Sequence, residues 1–494
     1  MNILLIYPIY PDSFWSFKHA LRFISKKAAV PPLGLITVSA MLPKEWKKKL
    51  VDLNVSNLNS EDIIWADYVF ISAMYIQKES VNEIISECLR HRTKIVAGGP
   101  LFTQEYRNYP NINHFVLNEA EITLPLFLAD LSKEQPARVY KADKYADLFH
   151  SPVPDYYLLE MKKYAFMNIQ VSRGCPFSCE FCEITSLLGH KVRMKTTNQI
   201  IDELEELHRL NWRGPVAIVD DNFLGSKNEV KRNLLPSMKK WMQMHKFPFV
   251  FNIQSSINLA DDKELMSLMV ETGFTSTFIG IETPDEISLN SCNKVQNKNR
   301  DLLQSVKTIQ NKGLQVSGGF IVGFDSDTPT VFQRQIDFIQ KSGIVSAMVG
   351  LLNAPKHTQL YKRLKAEKRL TVESSGNNTD STMNFIPKMN YNELMEGYRT
   401  IIQNIYAAKP YYKRVRQMFL NYHRKFKKEQ RVNFLLIIAF LKTMFIIGIV
   451  DKGRGEFWKL IFWTLLKRPG LFTEAITFAV YGYHFRKVYG LRQH

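Results

Sequence analysis

The chain is poor in cysteine, and its charge is scarce in one sign where it matters. Only five of its 494 residues are cysteines: Cys88, Cys175, Cys179, Cys182 and Cys292. Three fall within eight residues, too close for a disulfide framework, which excludes a secreted disulfide scaffold and points to a reducing cytoplasm and a metal site. The opening Met-Asn-Ile-Leu-Leu-Ile-Tyr-Pro has no basic n-region and ends its apolar run at Pro8, so it reads as a buried strand rather than a signal peptide. No low-complexity tract or repeat period signals a solenoid. Acidic residues are nearly missing from the tail. Beyond residue 408 stand four of them against 18 lysines and arginines, a local +14 within a whole-chain +18. Everything before that point carries +4, so the tail's own partner must explain the basic character.

What is present is the material of an ordinary globular protein, 45% hydrophobic and 23% charged, in a chain long enough for two to four domains. Short apolar runs at Ile3–Tyr7, Leu50–Leu53, Tyr68–Ser72, Ile95–Ala97 and Phe115–Leu117 alternate with helical spacing at Leu33–Met41 and Val81–Leu89. That pattern predicts a doubly wound parallel sheet of flavodoxin type over residues 1–135. A proline- and charge-containing connector, with Pro136, Pro152 and Pro154, fills residues 136–160. A second β/α series follows over 161–355, with strands at Ala165–Val171, Val216–Val219, Phe249–Gln254, Thr277–Ile281, Gln315–Val322 and Ala347–Leu351. Six units are too few for an eight-fold barrel and predict a partial (β/α)6 barrel. Residues 356–494 are polar and irregular at first, then helical, basic and apolar together.

The central motif is Ser172-Arg-Gly-Cys175-Pro-Phe-Ser-Cys179-Glu-Phe-Cys182, directly after the first strand of the second series. In parallel β/α architectures chemistry gathers in loops at the carboxyl ends of strands. Three closely spaced thiolates can hold three irons of a 4Fe–4S cubane and leave the fourth open. A zinc site is the alternative, with His190 as the nearest fourth ligand.

This Cys-x3-Cys-x2-Cys run after a first barrel strand resembles the radical S-adenosylmethionine superfamily. The resemblance implies a cluster whose open iron chelates the amino and carboxylate groups of S-adenosylmethionine, and reductive cleavage to a 5′-deoxyadenosyl radical. It places further cofactor contacts at strand ends. Asp220 and Asp221 close the second barrel strand, where the family often carries Gly-Gly-Glu for the methionine amino group; this chain departs from that. Glu282 closes the fourth, at a ribose contact. Gly319 and Gly323 belong to Gly318-Gly319-Phe320-Ile321-Val322-Gly323, similar to an adenine-contacting segment; relief of barrel crowding is the other reading of these glycines. Cys292 could be a second catalytic thiol, and Cys88 packs in a helix.

The segments Pro31-Pro-Leu-Gly34-Leu35 and Gly98-Gly99-Pro100 ahead of such a barrel look like the cobalamin-binding subclass of that superfamily. The resemblance implies that Gly34, Gly98 and Gly99 let backbone approach a corrin or its nucleotide tail. It implies that Glu119, with Glu121, borders the cofactor after the fifth strand, and that Ser72 and Tyr75, in Ser72-Ala-Met-Tyr75, lie beneath the cobalt. The Asp-x-His-x-x-Gly motif that supplies a lower histidine is absent around His19, His91 and His114. A Rossmann-like domain without a ligand is the alternative.

In the tail, residues 409–431 carry nine basic residues and one acid, Glu429. The run 434–450 is interrupted only by Lys442 and Thr443; as a helix of 17 residues it would reach about 25 Å, short of a ~30 Å hydrocarbon core. Aromatic stretches at Phe457–Trp463 and Leu471–Tyr483 follow, flanked by Lys467, Arg468, Arg486 and Lys487. The expectation is interfacial helices on an anionic membrane surface; a buried helical cap over the barrel is the alternative. A chain ending near residue 400 is expected to stay soluble unless the tail caps the barrel. No nucleic-acid motif is present, and no nucleic-acid partner is expected. The stretch Gly376-Asn-Asn-Thr-Asp380 through Asn384-Phe-Ile-Pro387, with this tail, resembles the hopanoid-methylase-like group. It implies cobalamin-dependent methylation of an unactivated carbon in a hydrophobic or lipid substrate, an electron donor of flavodoxin or ferredoxin type, and a cytoplasmic protein peripheral to the inner face of the membrane. Radical cyclisation or rearrangement without methyl transfer is the rival chemistry, and a non-catalytic membrane adaptor a more distant one.

Overall fold

In the computed structural model, residues 1–372, 374–377, 379–426 and 434–491 are described. Two six-stranded parallel sheets organise the chain. The first contains β1 (Asn2–Tyr7), β2 (Lys47–Asp52), β3 (Tyr68–Ser72), β4 (Lys94–Gly98), β5 (His114–Val116) and β6 (Val139–Tyr140), in the order β2-β1-β3-β4-β5-β6. The inner strands β1, β3 and β4 are buried on both faces and read as apolar runs, while the edge strand β2 opens with Lys47-Lys48-Lys49. In β1, Ile3 and Leu5 pack on one face while Leu4 and Ile6 pack on the other. The sheet extends into the segment read as a connector, where Val139–Tyr140 pairs with Phe115–Val116. A two-residue strand is too short to show a period, which is why the sequence conceals it.

The second sheet is the expected partial barrel. It contains β7 (Met167–Ile169), β10 (Pro215–Ile218), β11 (Val250–Ser255), β12 (Phe274–Glu282), β13 (Gln315–Val322) and β14 (Ala347–Leu351), parallel throughout and ordered β14-β13-β12-β11-β10-β7. Between β7 and β10 a small antiparallel pair, β8 (Ser172–Arg173) with β9 (Arg193–Met194), closes the loop that carries the three cysteines.

A strap from the N-terminal region crosses to the barrel. Phe14 stacks on Phe485 with centroids 4.3 Å apart and planes 9° from parallel. Trp15 meets the edge of Phe278 at 5.1 Å, and the Asn168 amide donates to Pro31 O at 3.0 Å.

The tail both caps the barrel and leaves an apolar face outside. Helices Tyr391–Tyr406, Ala408–Asn421 and Phe472–Val488 pack into the barrel's core cluster. The Tyr406 hydroxyl donates to Ala347 O on β14 at 2.6 Å, and that of Tyr411 to Phe478 O at 2.6 Å. Arg414 is wholly buried between their rings and donates to Val345 O at 3.2 Å. The interfacial reading is therefore corrected for Phe472–Val488, because its aromatic face closes on the barrel. The helix Phe434–Phe445, its π-turn Ile446–Val450 and the helix Arg454–Lys467 differ: Ile437, Leu441, Phe445, Ile449, Phe462 and Leu466 are exposed. Part of the basic run, residues 427–433, lies outside the described residues. Among the described residues no helix is long and apolar enough to cross a membrane.

Candidate active site between the two sheets

The carboxyl edges of the two sheets face a shared cavity of about 1030 Å³, at the upper end of the ~300–1,000 Å³ typical of small-molecule sites. Its walls come from Leu33–Val38, the Ser72–Ile76 loop, Gly98–Pro100, Asn118–Glu121, Arg173, the helix after the cysteines, Asp221, Asn353–Lys356, residues 370–372, Ser374 and Gly376. Ligands of doubly wound sheets bind at this edge.

Of the residues expected on the corrin side, Gly34, Ser72, Tyr75, Gly98, Gly99 and Glu119 all border the cavity. Their structural parts differ. A Cβ at Gly34 would meet nothing within 4 Å, so the helix Leu33–Met41 presents open space there. Gly98 and Gly99 also serve packing. A Cβ at Gly98 would fall 2.7 Å from Val116 O; one at Gly99, whose φ is +89°, would fall 2.8 Å from Ser72 Oγ. Glu119 does not offer a free carboxylate. It accepts from Arg193 Nη1 at 2.7 and 2.8 Å, from Arg173 Nη1 at 2.9 Å and from the Ala146 amide at 2.6 Å. Glu121 binds Arg173 through both oxygens, at 2.8 and 3.0 Å, and these charge-assisted bonds hold its carboxyl below the usual range. The acidic pair thus ties the first sheet to the base of the cysteine loop.

Cys175, Cys179 and Cys182 lie on that loop, partly exposed and unpaired. They are electrostatic neighbours, yet their sulfurs do not gather within 4.8 Å of one another, and His190 brings no fourth ligand to them; among the described residues the only such three-ligand gathering is elsewhere. Ligands of a single zinc, bound at about 2.0–2.3 Å, must sit closer than that. Three thiols on one loop match the three protein corners of a 4Fe–4S cluster. Clamps hold the loop from three sides. Gln104 donates to Glu183 at 3.2 Å, Arg363 to Glu180 at 2.6 and 3.2 Å, and the Glu180 amide to Cys292 O at 3.0 Å. Burial pushes the Cys182 thiol up to about 12 in the metal-free chain.

On the barrel side the structure separates the expected residues. Asp221 lines the cavity, and its Oδ2 is buried without a hydrogen-bond partner. Burial and the neighbouring Asp220 push its carboxyl up to about 7. Asp220 is fully buried, and it accepts from the Val171 amide at 2.7 Å and from Ser172 Oγ at 2.6 Å, fixing the start of the cysteine loop. Glu282 ends β12 at a bulge with φ +64° and is held by Lys294 at 2.5 Å, away from the cavity wall. Gly319 and Gly323 are likewise off the cavity wall. A Cβ at Gly319 would fall 2.9 Å from the Phe278 ring, so the close approach there is made by a neighbouring strand. Gly323, at φ +104°, donates to Asp327 at 2.8 Å in the turn after β13. Cys292 is buried, its thiol pushed up to about 12 by burial, which leaves it inert.

Several residues escaped the sequence reading. Lys294 is buried beside the cysteines, its ammonium 6.0 Å from the Phe181 ring centroid, and acts electrostatically on Cys175, Cys179 and Cys182. Gln296 reaches Cys179 Sγ at 3.8 Å. Asn118 and Asn353, both on the cavity wall, have buried Oδ1 atoms without partners. No spacing rule links positions 118, 294 and 353; only folding sets Asn118 and Asn353 on the cavity wall and Lys294 beside the cysteines.

Comparison with known proteins agrees with this geometry. Residues 169–339 match the radical SAM superfamily, and residues 358–493 match a domain of unknown function, DUF4070. The chain is 40% identical over 492 residues to an uncharacterized methyltransferase, sll1242, of Synechocystis, covering 98% of this chain and 91% of that one. It is 35% identical over 390 residues to the hopanoid C-2 methylase of Rhodopseudomonas palustris, covering 78% and 73%. The fold matches that of the radical S-adenosylmethionine methyltransferase TsrM from Kitasatospora setae, solved with cobalamin and a [4Fe-4S] cluster bound, with TM-score 0.63, 13% identity and coverage of 93% and 98%. The chain belongs to the radical S-adenosylmethionine methyltransferase family, in the group that includes the hopanoid C-2 methylase.

Proposed function

We propose that this protein replaces a hydrogen on an unactivated carbon of a polycyclic, hopanoid-like lipid with a methyl group, at the inner face of a membrane. The observation that carries the reading is the cavity of about 1030 Å³ where the carboxyl edges of a flavodoxin-like sheet and a radical-type barrel meet beside the cysteine loop. The residues present fit the implied cofactors. Three spread thiols suit a 4Fe–4S cluster, and the cavity offers open space at Gly34 with orphaned polar atoms on Asn118, Asp221 and Asn353. When bound, these groups supply the hard chemistry: a radical from S-adenosylmethionine and a transferable methyl from cobalamin.

The chain's own residues bind, orient and exclude. Cys175, Cys179 and Cys182 would ligate three irons. Asp221 would accept a hydrogen bond from the amino group of S-adenosylmethionine, in place of the family's glutamate. Gly34, Gly98, Gly99, Ser72 and Tyr75 would form the bed of the corrin. Glu119, Glu121, Arg173 and Arg193 hold the two halves in register, and Leu370, Thr371, Val372, Ser374 and Gly376 line the cavity from the tail side. An electron donor of flavodoxin or ferredoxin type would deliver reducing equivalents to the cysteine loop. The membrane part of the reading is supported by the exposed apolar strip on helices Phe434–Phe445 and Arg454–Lys467, interspersed with Lys442, Lys452, Arg454 and Lys459.

The test is product analysis. Comparative lipid mass spectrometry of cells with and without the gene should reveal a species one methylene, about 14 mass units, heavier than its parent. In vitro each turnover should yield both 5′-deoxyadenosine and S-adenosylhomocysteine. Deoxyadenosine without S-adenosylhomocysteine would exclude methylation.

A further inference from the structure

Away from the cavity, on the outer helical layer of the barrel, three potential ligands converge. Glu205 and His208 stand three residues apart on the helix Thr197–Arg209, and His245 caps the helix Leu235–Met244. One ligand atom from each lies within 4.8 Å of the others. The rings of His208 and His245 are 4.6 Å apart, at 70°.

Trp241, itself buried, orients two of the three. Its indole N–H donates to Glu205 Oε2 at 2.9 Å. Its backbone carbonyl faces His245 Nδ1 at 2.9 Å, and its ring stacks on that imidazole at 4.2 Å. A carbonyl only accepts, so Nδ1 donates to it and Nε2 is the ring atom left to bind a ligand. Nε2 faces Glu205 Oε2 at 3.4 Å. A proton between these two atoms would satisfy that pair and leave His208 outside it. A metal ion satisfies all three groups at once. The neighbouring Arg213 is turned onto the carbonyls of His208 and Trp212.

We propose that Glu205, His208 and His245 form a zinc site that clips two outer helices of the barrel together. Two neutral imidazoles and a carboxylate are a zinc-class donor set, and the solvent side leaves a fourth position for water. The hydrogen bonds to Trp241 are the outer partners such ligands require. The Glu-x-x-His spacing places two ligands on one helix face; the third comes from 37 positions further on.

The test uses the enzyme with its iron–sulfur cluster in place, equilibrated with zinc chloride and desalted, with iron and zinc counted together. The expected result is one zinc per chain in addition to the cluster iron. H208A/H245A should lose that zinc with iron unchanged, and W241F should weaken zinc binding about tenfold. Cobalt(II) added to a variant with Cys175, Cys179 and Cys182 replaced by alanine should give ligand-field bands without sulfur-to-metal charge transfer. Circular dichroism of each variant checks that it folds, and H208Q/H245Q serves if the alanine pair does not. Zinc retained equally by the histidine variants, or no zinc retained by the parent enzyme, would overturn the proposal. Neither result bears on the cavity.

Discussion

Gly34 is the residue at which packing and ligand binding part company. Its Cβ position is empty, unlike those of Gly98 and Gly99, where added atoms would strike backbone or Ser72. Gly34→Ala should therefore leave the fold intact and raise stability by about 0.5–1 kcal/mol, the usual gain over glycine within a helix. Gly34→Leu should fold as well and abolish cobalamin uptake, read by absorbance after gel filtration. Undiminished uptake by the leucine variant would remove the corrin from this wall. A second residue-level consequence concerns Lys294. Its ammonium beside the thiols favours electron entry, whereas Glu282 partly cancels it. Lys294→Met should shift the cluster midpoint potential negative and Glu282→Gln should shift it positive, measured by redox titration with EPR detection. Shifts of the same sign would defeat the electrostatic account. The cysteines were legible because their ligand spacing is local in sequence. Lys294 was not, since its pairing with Glu282 and its place beside Cys182 exist only after β12 and the cysteine loop are brought together.

At the scale of elements, the long strands and helices were legible because their hydrophobic periods run over five or more residues. β13 and β14 fall where the pattern puts them. β6, β8 and β9 each hold two residues and leave no period to read. The tail misled for a different reason: aromatic residues that suit a membrane interface also suit a buried seam, and composition does not separate the two. The helix Phe472–Val488 belongs to the seam. Within it His484 is buried, with Nε2 3.1 Å from Phe14 O and with His19 and Asp12 nearby, and burial depresses its pKa from 6.5 to about 4. Between those values the unfolded chain binds the proton and the folded chain does not. Stability should then fall as pH drops from about 6.5 to 4, by roughly 3 kcal/mol, and level off below. His484→Gln should flatten that segment of a denaturation-versus-pH curve; an unchanged slope would assign the acid sensitivity elsewhere. The helices Phe434–Phe445 and Arg454–Lys467 are the outward counterpart. Leu441→Glu with Leu466→Glu, both at exposed positions, should keep the melting temperature and lose co-sedimentation with anionic vesicles, while high salt should release the parent protein only in part. Vesicle binding unaffected by the pair would place any membrane contact on another face.

For the whole molecule, the tail cannot be treated as a detachable anchor. Removing everything after residue 407 would strip Tyr411, Tyr412, Val415 and Phe485 from a core that also contains Phe14 and the barrel strands. Such a chain should aggregate rather than remain soluble, because the tail caps the barrel, the condition under which the expected solubility of a chain ending near residue 400 fails. Light scattering of the purified fragment decides the matter, and a monodisperse, folded fragment would contradict the shared core. The same join bears on the order in which the chain is made. Phe14 and its partner His484 are 470 positions apart, so at roughly 5–20 residues per second the strap leaves the ribosome about half a minute to a minute and a half before the helix that covers it exists. Throughout that interval Phe14 and Phe17 lack Phe485, Tyr481 and His484, so apolar surface that emerges early is among the last to be sheltered. Ribosome-arrested chains lacking the final helix should be cut by protease at this strap, and completed chains should resist.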